Sequence, residues 1–163
     1  MSTDWDQLYR DTYEDLVRFL YRKVWDEERA RDLAQEVFVR ALRHRPEKAR
    51  AWVFVTAANL ARDEARTVIR RRKHLALIKA ESSEAEEVPT VGTEERNRVQ
   101  VALDALSDRD RDALLLWDAG LSYDEIAAQT GLAKGAVGTT LSRARKRLVA
   151  AYKEKEGEDV AHR

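Results

Sequence analysis

The sequence predicts an all-α protein of two small helical domains joined by a flexible linker. Hydrophobic side chains recur at three- and four-residue spacing along most of the chain, which is typical of amphipathic helices. Only two prolines and six glycines interrupt the 163 residues, so long helices are favoured. Charged residues make up 37% of the chain and aromatic residues 7%, a mixture that favours solvated helices over a β-sandwich.

Three helices are predicted in the first domain, residues 1–79. The first covers residues 5–24. The second begins between Asp26 and Ala30 and ends near His44, because Pro46 breaks the pattern. The third begins near Lys48 and runs to about Ala65, with an extension as far as Leu77.

A change of composition separates this domain from the rest. Residues 80–95 (AESSEAEEVPTVGTEE) are acidic and contain a proline and a glycine, which predicts a flexible linker. The second domain is predicted at 96–152, with a short mixed tail at 153–163. Its helices have clear start and stop signals: Ser107 is a candidate N-cap, and Ser122 opens a capping-box pattern.

Composition excludes several classes of function. The chain has no cysteine, so a disulfide framework, a thiolate nucleophile and a sulfur-ligated zinc site are excluded. The three histidines are scattered, and no HExxH, GxSxG or glycine-rich phosphate loop occurs, so we expect no catalytic residue, metal or cofactor. No apolar run is long enough to span a membrane, and no signal peptide is visible. We therefore expect a cytoplasmic protein without direct membrane insertion.

The formal net charge is zero, but it is unevenly distributed along the chain. Residues 43–73 hold ten Lys or Arg against three acids, and residues 134–152 hold five against none. Two such segments can attract a polyanion locally, although two solvated helix faces would have the same composition.

Residues 122–148 (SYDEIAAQTGLAKGAVGTTLSRARKRL) have the pattern of a helix-turn-helix. Ile126 faces inward on the first helix, and Gly131 suits a turn that needs positive φ. Val137 and Leu141 face back from the second helix. The motif predicts that this second helix enters the DNA major groove. A helical hairpin with a basic end would be the simpler interpretation.

The second helix presents side chains that suit base edges and phosphates. These DNA-binding candidates are Lys134, Thr139, Thr140, Ser142, Arg143 and Lys146, with Arg145 and Arg147 beside them.

Two further stretches of sequence identify a family. Residues 32–43 (DLAQEVFVRALR) and 51–72 (AWVFVTAANLARDEARTVIRRR) resemble region 2 of the extracytoplasmic-function branch of the sigma-70 family, and residues 103–148 resemble region 4. The resemblance implies an alternative sigma factor that binds core RNA polymerase and directs initiation at promoters with −10 and −35 elements.

The resemblance also assigns roles to residues. It implies that Asn59 lies beside a pocket for a flipped base of the −10 element, since an amide both donates and accepts hydrogen bonds. The basic end of the same helix would hold the opened strand through Arg62, Arg66, Arg70, Arg71, Arg72 and Lys73. Docking on the polymerase clamp would involve Asp32, Gln35, Glu36 and Phe38.

The implied partners are the polymerase clamp coiled coil and flap, promoter DNA in duplex and single-stranded form, and an anti-sigma factor. The sequence departs from the family pattern at Gly138 and Thr140, where basic residues are usual, and at Ser107, where proline is common. The changes at Gly138 and Thr140 remove two phosphate or base contacts, so we expect an unusual −35 preference and weaker binding there. The change at Ser107 is expected to be silent, because serine caps a helix well.

Two alternatives remain at this stage. A conventional regulator would bind duplex operator DNA as a symmetric dimer without core polymerase. An interaction adaptor would keep the fold without binding DNA, although the two basic segments argue against it.

Overall fold

The computed structural model describes residues 3–81 and 94–162, and the regular structure in both ranges is helical. The predicted all-α fold class is confirmed. Most of the predicted linker at 80–95 lies outside the described residues. The helices, in chain order, are α1 (Trp5–Val24), α2 (Glu27–His44), α3 (Ala49–Glu81), α4 (Glu94–Asp104), α5 (Asp108–Asp118), α6 (Tyr123–Thr130) and α7 (Val137–Ala161), with a 3-10 turn (Lys134–Ala136) before α7.

Local signals fix the ends of α1 and α2. Asp4 and Asp26 are their N-caps, and each carboxylate accepts a hydrogen bond from the backbone N–H three residues later. Each helix ends at a residue in the left-handed region, Trp25 at φ 56° and Arg45 at φ 47°. Their backbone N–H groups close the last turns of the two helices. These reversals fold α1, α2 and α3 into an antiparallel bundle.

The bundle packs around an apolar core and is braced at its surface. Phe54 is fully buried, and its ring meets Phe19 edge to face with centroids 5.5 Å apart. Arg29 of α2 donates two hydrogen bonds to the Glu64 carboxylate of α3, at 2.6 and 2.7 Å. This paired geometry raises the pKa of Arg29 and lowers that of Glu64, and it holds α2 against α3.

The helices α4 to α7 form a second packed unit, in which Leu116, Ile126 and Val137 are fully buried. The predicted cap residues act as expected. The Ser107 hydroxyl accepts a hydrogen bond from the Asp110 N–H, and Ser122 and Glu125 form a complete capping box.

The last helix is longer than predicted. The sequence suggested an end near Tyr152 and a tail at 153–163, but α7 continues to Ala161 and packs along α4. Arg98 of α4 donates to the Asp159 carboxylate at 2.9 Å, and Lys155 lies 3.4 Å from the same carboxylate. Lys155 pairs with Asp159 within α7, whereas the Arg98 contact joins α4 to the final turns of α7, a tertiary effect that a mixed, charged sequence does not reveal.

Candidate nucleic-acid and polymerase interfaces

The helix-turn-helix has the geometry that its sequence predicted. Gly131 ends α6 at φ 77°, and its N–H donates to the Ala127 carbonyl. Ile126 of α6 and Val137 and Leu141 of α7 are buried between the two helices. This packing fixes the angle at which α7 projects, and it leaves the opposite side of α7 open to solvent.

Most of the candidates on α7 are exposed. We call Lys134, Thr139, Ser142, Arg143 and Lys146 the α7 surface. Lys134, in the preceding turn, lies 3.1 Å from the Asp124 carboxylate, but both side chains stay more than half exposed, so this ion pair is weak and exchangeable.

Thr140 is a correction. It was predicted to contact DNA, but only 1% of the residue is exposed, and its hydroxyl has no hydrogen-bond partner. It lies on the buried stripe of α7 with Val137, Leu141 and Ala144, so the hydroxyl points into the protein core. The predicted direct contact is therefore wrong for this arrangement of the helices.

Gly138 leaves a space on α7 that a neighbouring aromatic ring borders. A Cβ atom at this position would lie 3.5 Å from the Tyr123 ring, an ordinary contact. Tyr123 is 46% exposed and is the first residue of α6. An alanine methyl group at 138 therefore meets the ring at an ordinary contact distance.

The basic candidates of the first bundle follow one helix. We call Asn59, Arg62, Arg66, Arg70, Arg71, Arg72 and Lys73 the α3 surface, and all of these residues are exposed. Since α3 continues to Glu81, its cations from Arg66 onward lie on a helical extension beyond the buried core residue Ala61. These cations therefore lie along one continuous helix, where they can interact with a nucleic-acid backbone.

On α2, three of the four predicted docking residues are exposed. We call Asp32, Gln35 and Glu36 the α2 surface. The Gln35 amide donates to the hydroxyl of Tyr9 at 3.0 Å, so this surface joins an aromatic patch of α1 that sequence reasoning missed. Phe38 is a second correction: it is 6% exposed and packs edge to face against Tyr9, so it supports the surface from below.

The two helical units meet through side chains. The closest helix packing in the described ranges lies within each unit. One cluster of buried apolar side chains runs through both units, and polar side chains also bridge them. Asp112 of α5 is 5% exposed and contacts both Lys23 of α1 and Arg62 of α3, the latter at 3.1 Å. The Gln129 amide donates to the Asn59 side-chain oxygen at 2.9 Å.

Further bridges surround these contacts. Arg50 donates to the Ala119 carbonyl at 2.6 Å, where its charge suits the C-terminal end of α5. Arg22 pairs with Asp118 at 2.8 Å. No sequence pattern links these partners, because Arg50 and Ala119 are 69 positions apart in the chain. Arg22 and Asp118 are 96 positions apart.

An apolar groove of about 510 Å³ opens between α4, α5 and α7. It is lined in part by Leu103, Leu114 and Leu148. At its edge, the Arg145 guanidinium carbon lies 4.8 Å from the centroid of the Trp117 ring, a cation–π contact. Tyr152 and Glu156 complete one wall. Glu156 lies beyond the predicted end of α7, so the unpredicted part of this helix helps to form the groove.

The helical fold and the exposed basic helix-turn-helix define a DNA-binding class of protein, and comparison with known proteins narrows this class. Residues 8–73 match the model of sigma-70 region 2, and residues 96–148 match that of sigma-70 region 4. The chain is 31% identical over 156 residues to the RNA polymerase sigma factor YlaC of Bacillus subtilis, with 88% of each chain covered.

Two further comparisons indicate the same family. The ECF RNA polymerase sigma factor SigE of Mycolicibacterium smegmatis is 30% identical over 161 residues, and the match covers 88% of this chain and 60% of that relative's length. A solved structure of the sigma factor RpoE in complex with the anti-sigma factor NepR, from Bartonella quintana, gives a TM-score of 0.63 at 26% identity, covering 92% of this chain and 97% of that one. The chain therefore belongs to the sigma-70 family, as an extracytoplasmic-function sigma factor.

Proposed function

We propose that this chain binds core RNA polymerase and directs transcription initiation at promoters with two elements. The observation that carries the proposal is the order of two DNA-facing surfaces in one chain: the basic α3 surface precedes the helix-turn-helix that bears the α7 surface. A regulator that binds only one duplex DNA site does not need a second basic surface such as the α3 surface.

The two units have separate roles in this proposal. Residues 1–79 dock on the polymerase clamp through the α2 surface and capture the opened −10 strand through the α3 surface. Residues 96–152 read duplex −35 DNA and touch the polymerase flap, and residues 80–95 join the units. Asn59 is suited to an unpaired base because its amide is exposed and offers both donor and acceptor groups.

The catalysis in this scheme belongs to the polymerase. The described residues include no cluster of metal-ligating side chains and no helix that could span a membrane. In this proposal the sigma factor acts by binding: it stabilises the open promoter relative to the closed one, in the cytoplasm where polymerase and promoter meet.

An anti-sigma factor is the proposed regulator. The structural relative from Bartonella quintana was solved with the anti-sigma factor NepR. The apolar groove between α4, α5 and α7 and the aromatic patch beside Gln35 are two surfaces that such a protein partner could cover.

Run-off transcription with purified core polymerase, with and without this chain, on a promoter library tests the proposal. Factor-dependent initiation at a shared two-part motif is the expected result. A chain that fails to bind core polymerase but shifts duplex DNA as a dimer would instead be a conventional regulator.

A further inference from the structure

The last part of α3 projects beyond the first bundle and exposes apolar side chains. Among the described side chains of α3, the last buried one is Ala61, and every residue from 68 to 78 is exposed. Five large apolar side chains lie in this stretch: Val68, Ile69, Leu75, Leu77 and Ile78. Leu75 is 52% exposed and Ile78 50%. Since helices in water are stabilised mainly by packing of an apolar side, this stretch is suited to a partner.

The cations and the apolar side chains of this helix separate onto two sides. Residues at three- and four-residue spacing share one side of a helix. Within the α3 surface, this spacing joins Asn59, Arg62, Arg66, Arg70 and Lys73. The opposite side holds a second set at the same spacing, which we call the α3 reverse face: Val68, Arg71, Arg72, Leu75 and Ile78. A DNA strand held by the first set therefore does not cover the reverse face.

The α3 reverse face continues the side of the helix that packs in the bundle. Phe54, Ala57 and Ala61 are buried at three- and four-residue spacing, and Val68 follows Ala61 by two further turns. The bundle ends before Val68, so the same side meets solvent from there on. The reverse face is thus an apolar stripe that extends past the helices that pack on it.

The charge of this stretch selects the kind of partner. Residues 65–78 hold five Lys or Arg and no Asp or Glu. A second copy of α3 would bring Arg71 and Arg72 of two chains together, and like charges repel. A partner helix usually docks in an apolar groove, but a single projecting helix supplies no second wall. An anionic bilayer needs no groove and offers both acyl chains and negative headgroups.

We propose that the α3 reverse face binds the surface of an anionic lipid bilayer. Val68, Leu75 and Ile78 enter the boundary between headgroups and acyl chains, as in interfacial helices. Arg71 and Arg72 reach the lipid phosphates while their aliphatic stems cover apolar surface. The helix lies on the bilayer and does not cross it, in keeping with the absence of a membrane-spanning helix among the described residues. This binding goes beyond the proposed function and uses the side of α3 opposite to the strand-binding cations.

Vesicle flotation with the full chain tests the proposal. We expect the protein to float with vesicles of equal parts phosphatidylcholine and phosphatidylglycerol, but not with phosphatidylcholine alone. Added salt should weaken the binding, because the headgroup contacts are exposed to solvent. Leu75→Gln with Ile78→Gln keeps every cation and removes apolar area from the reverse face. This double variant should lower the bound fraction at least about tenfold.

A matched control lies on the same helix. Ile69→Gln with Leu77→Gln also removes two exposed apolar side chains, but from outside the reverse face, and it should float nearly as the wild type does. Absence of flotation by the wild type would overturn the proposal. Flotation of Leu75→Gln with Ile78→Gln at the wild-type level would show non-specific charge attraction only and would also overturn it. Equal losses in both double variants would reject the reverse face as the binding side.

DNA binding keeps this test separate from the proposed function. Leu75→Gln with Ile78→Gln should bind a forked DNA with an unpaired arm as the wild type does, because the opposite side of α3 is unchanged. Loss of that binding in a variant that is folded by circular dichroism would contradict the two-sided assignment. Run-off transcription without any flotation rejects only the lipid surface. Flotation that responds to the variants as expected, with failed initiation, rejects only the proposed function.

Discussion

The α7 surface and the α3 surface both present cations, but they differ in how they relate to the rest of the chain. The α7 surface faces solvent, and its one described acidic partner, Asp124, lies in the adjacent helix. The α3 surface begins with two residues engaged by the opposite unit, Asn59 and Arg62. The two surfaces therefore differ in their contacts: the α7 surface meets an acid of the neighbouring helix, whereas the start of the α3 surface is held by Asp112 and Gln129 of the other unit.

The largest expected effect is on DNA binding, and it should differ between a variant of the α7 surface and a variant of the α3 surface. Arg143→Ala removes an exposed guanidinium from the recognition helix and should weaken duplex −35 binding about 5- to 150-fold, the equivalent of about 1–3 kcal/mol for a specific base contact. Asn59→Ala should leave duplex binding nearly unchanged and lower the stability of the open promoter complex. Gel shift on duplex promoter DNA and permanganate footprinting of the open complex measure the two effects.

The reverse result would break the comparison. If Asn59→Ala weakens duplex binding as strongly as Arg143→Ala, the two surfaces are not functionally separate. Arg109→Ala is a suitable control, because this exposed arginine of α5 lies outside both surfaces.

The sequence predicted what depends on local pattern. The capping box at Ser122, the positive φ of Gly131 and the inward valine at 137 were all recoverable, because each follows from residues a few positions apart. The contact between Lys23 and Asp112 was not, since the two residues are 89 positions apart and no periodicity links them.

The burial of the two corrected residues, Thr140 and Phe38, was already indicated by their spacing in the sequence. Thr140 lies three residues after Val137 and four before Ala144, so helical spacing already places it on the buried stripe. Phe38 likewise follows Ala34 by four and precedes Ala41 by three. In both cases the helical spacing agrees with the observed burial and disagrees with the contact expected from the hydroxyl group or from the family resemblance.

The second prediction concerns Thr140. Its buried hydroxyl has no partner, so Thr140→Val should keep the shape and remove the unpaired polar group. We expect the free energy of unfolding to rise by about 1 kcal/mol, with unchanged −35 binding, as measured by denaturant titration and gel shift. A loss of DNA binding in a stable variant would restore the contact that the structure contradicts. Thr139→Val, at an exposed neighbouring position, is the matched control.

The third prediction concerns Gly138. This residue lies inside α7 with ordinary space around its Cα, and a Cβ would touch the Tyr123 ring at 3.5 Å. Gly138→Ala should therefore raise the free energy of unfolding by about 0.5–1 kcal/mol through a lower entropy cost of helix formation. Thermal unfolding monitored by circular dichroism measures this change. Gly131→Ala, at φ 77°, should instead be destabilising, and equal effects at both sites would refute the backbone argument.

The smallest effect concerns the final turns of α7. The hydrogen bond from Arg98 lowers the pKa of the Asp159 carboxyl. A depressed folded pKa means that this contact stabilises the chain above the unfolded pKa of about 3.9 and is lost as the pH falls through the lower folded value. Asp159→Asn should therefore lower the melting temperature near neutral pH, and the difference from the wild type should shrink below about pH 4.

Glu154→Gln separates this contact from the general effect of charge. It removes a negative charge from the same helix at an exposed position, so its effect on the melting temperature should be smaller at every pH. A difference between Asp159→Asn and wild type that persists unchanged at low pH would show that the carboxylate charge is not what holds α7 to α4. With the expected pH dependence, the end of α7 is part of the second unit, and the groove wall formed by Tyr152 and Glu156 depends on it.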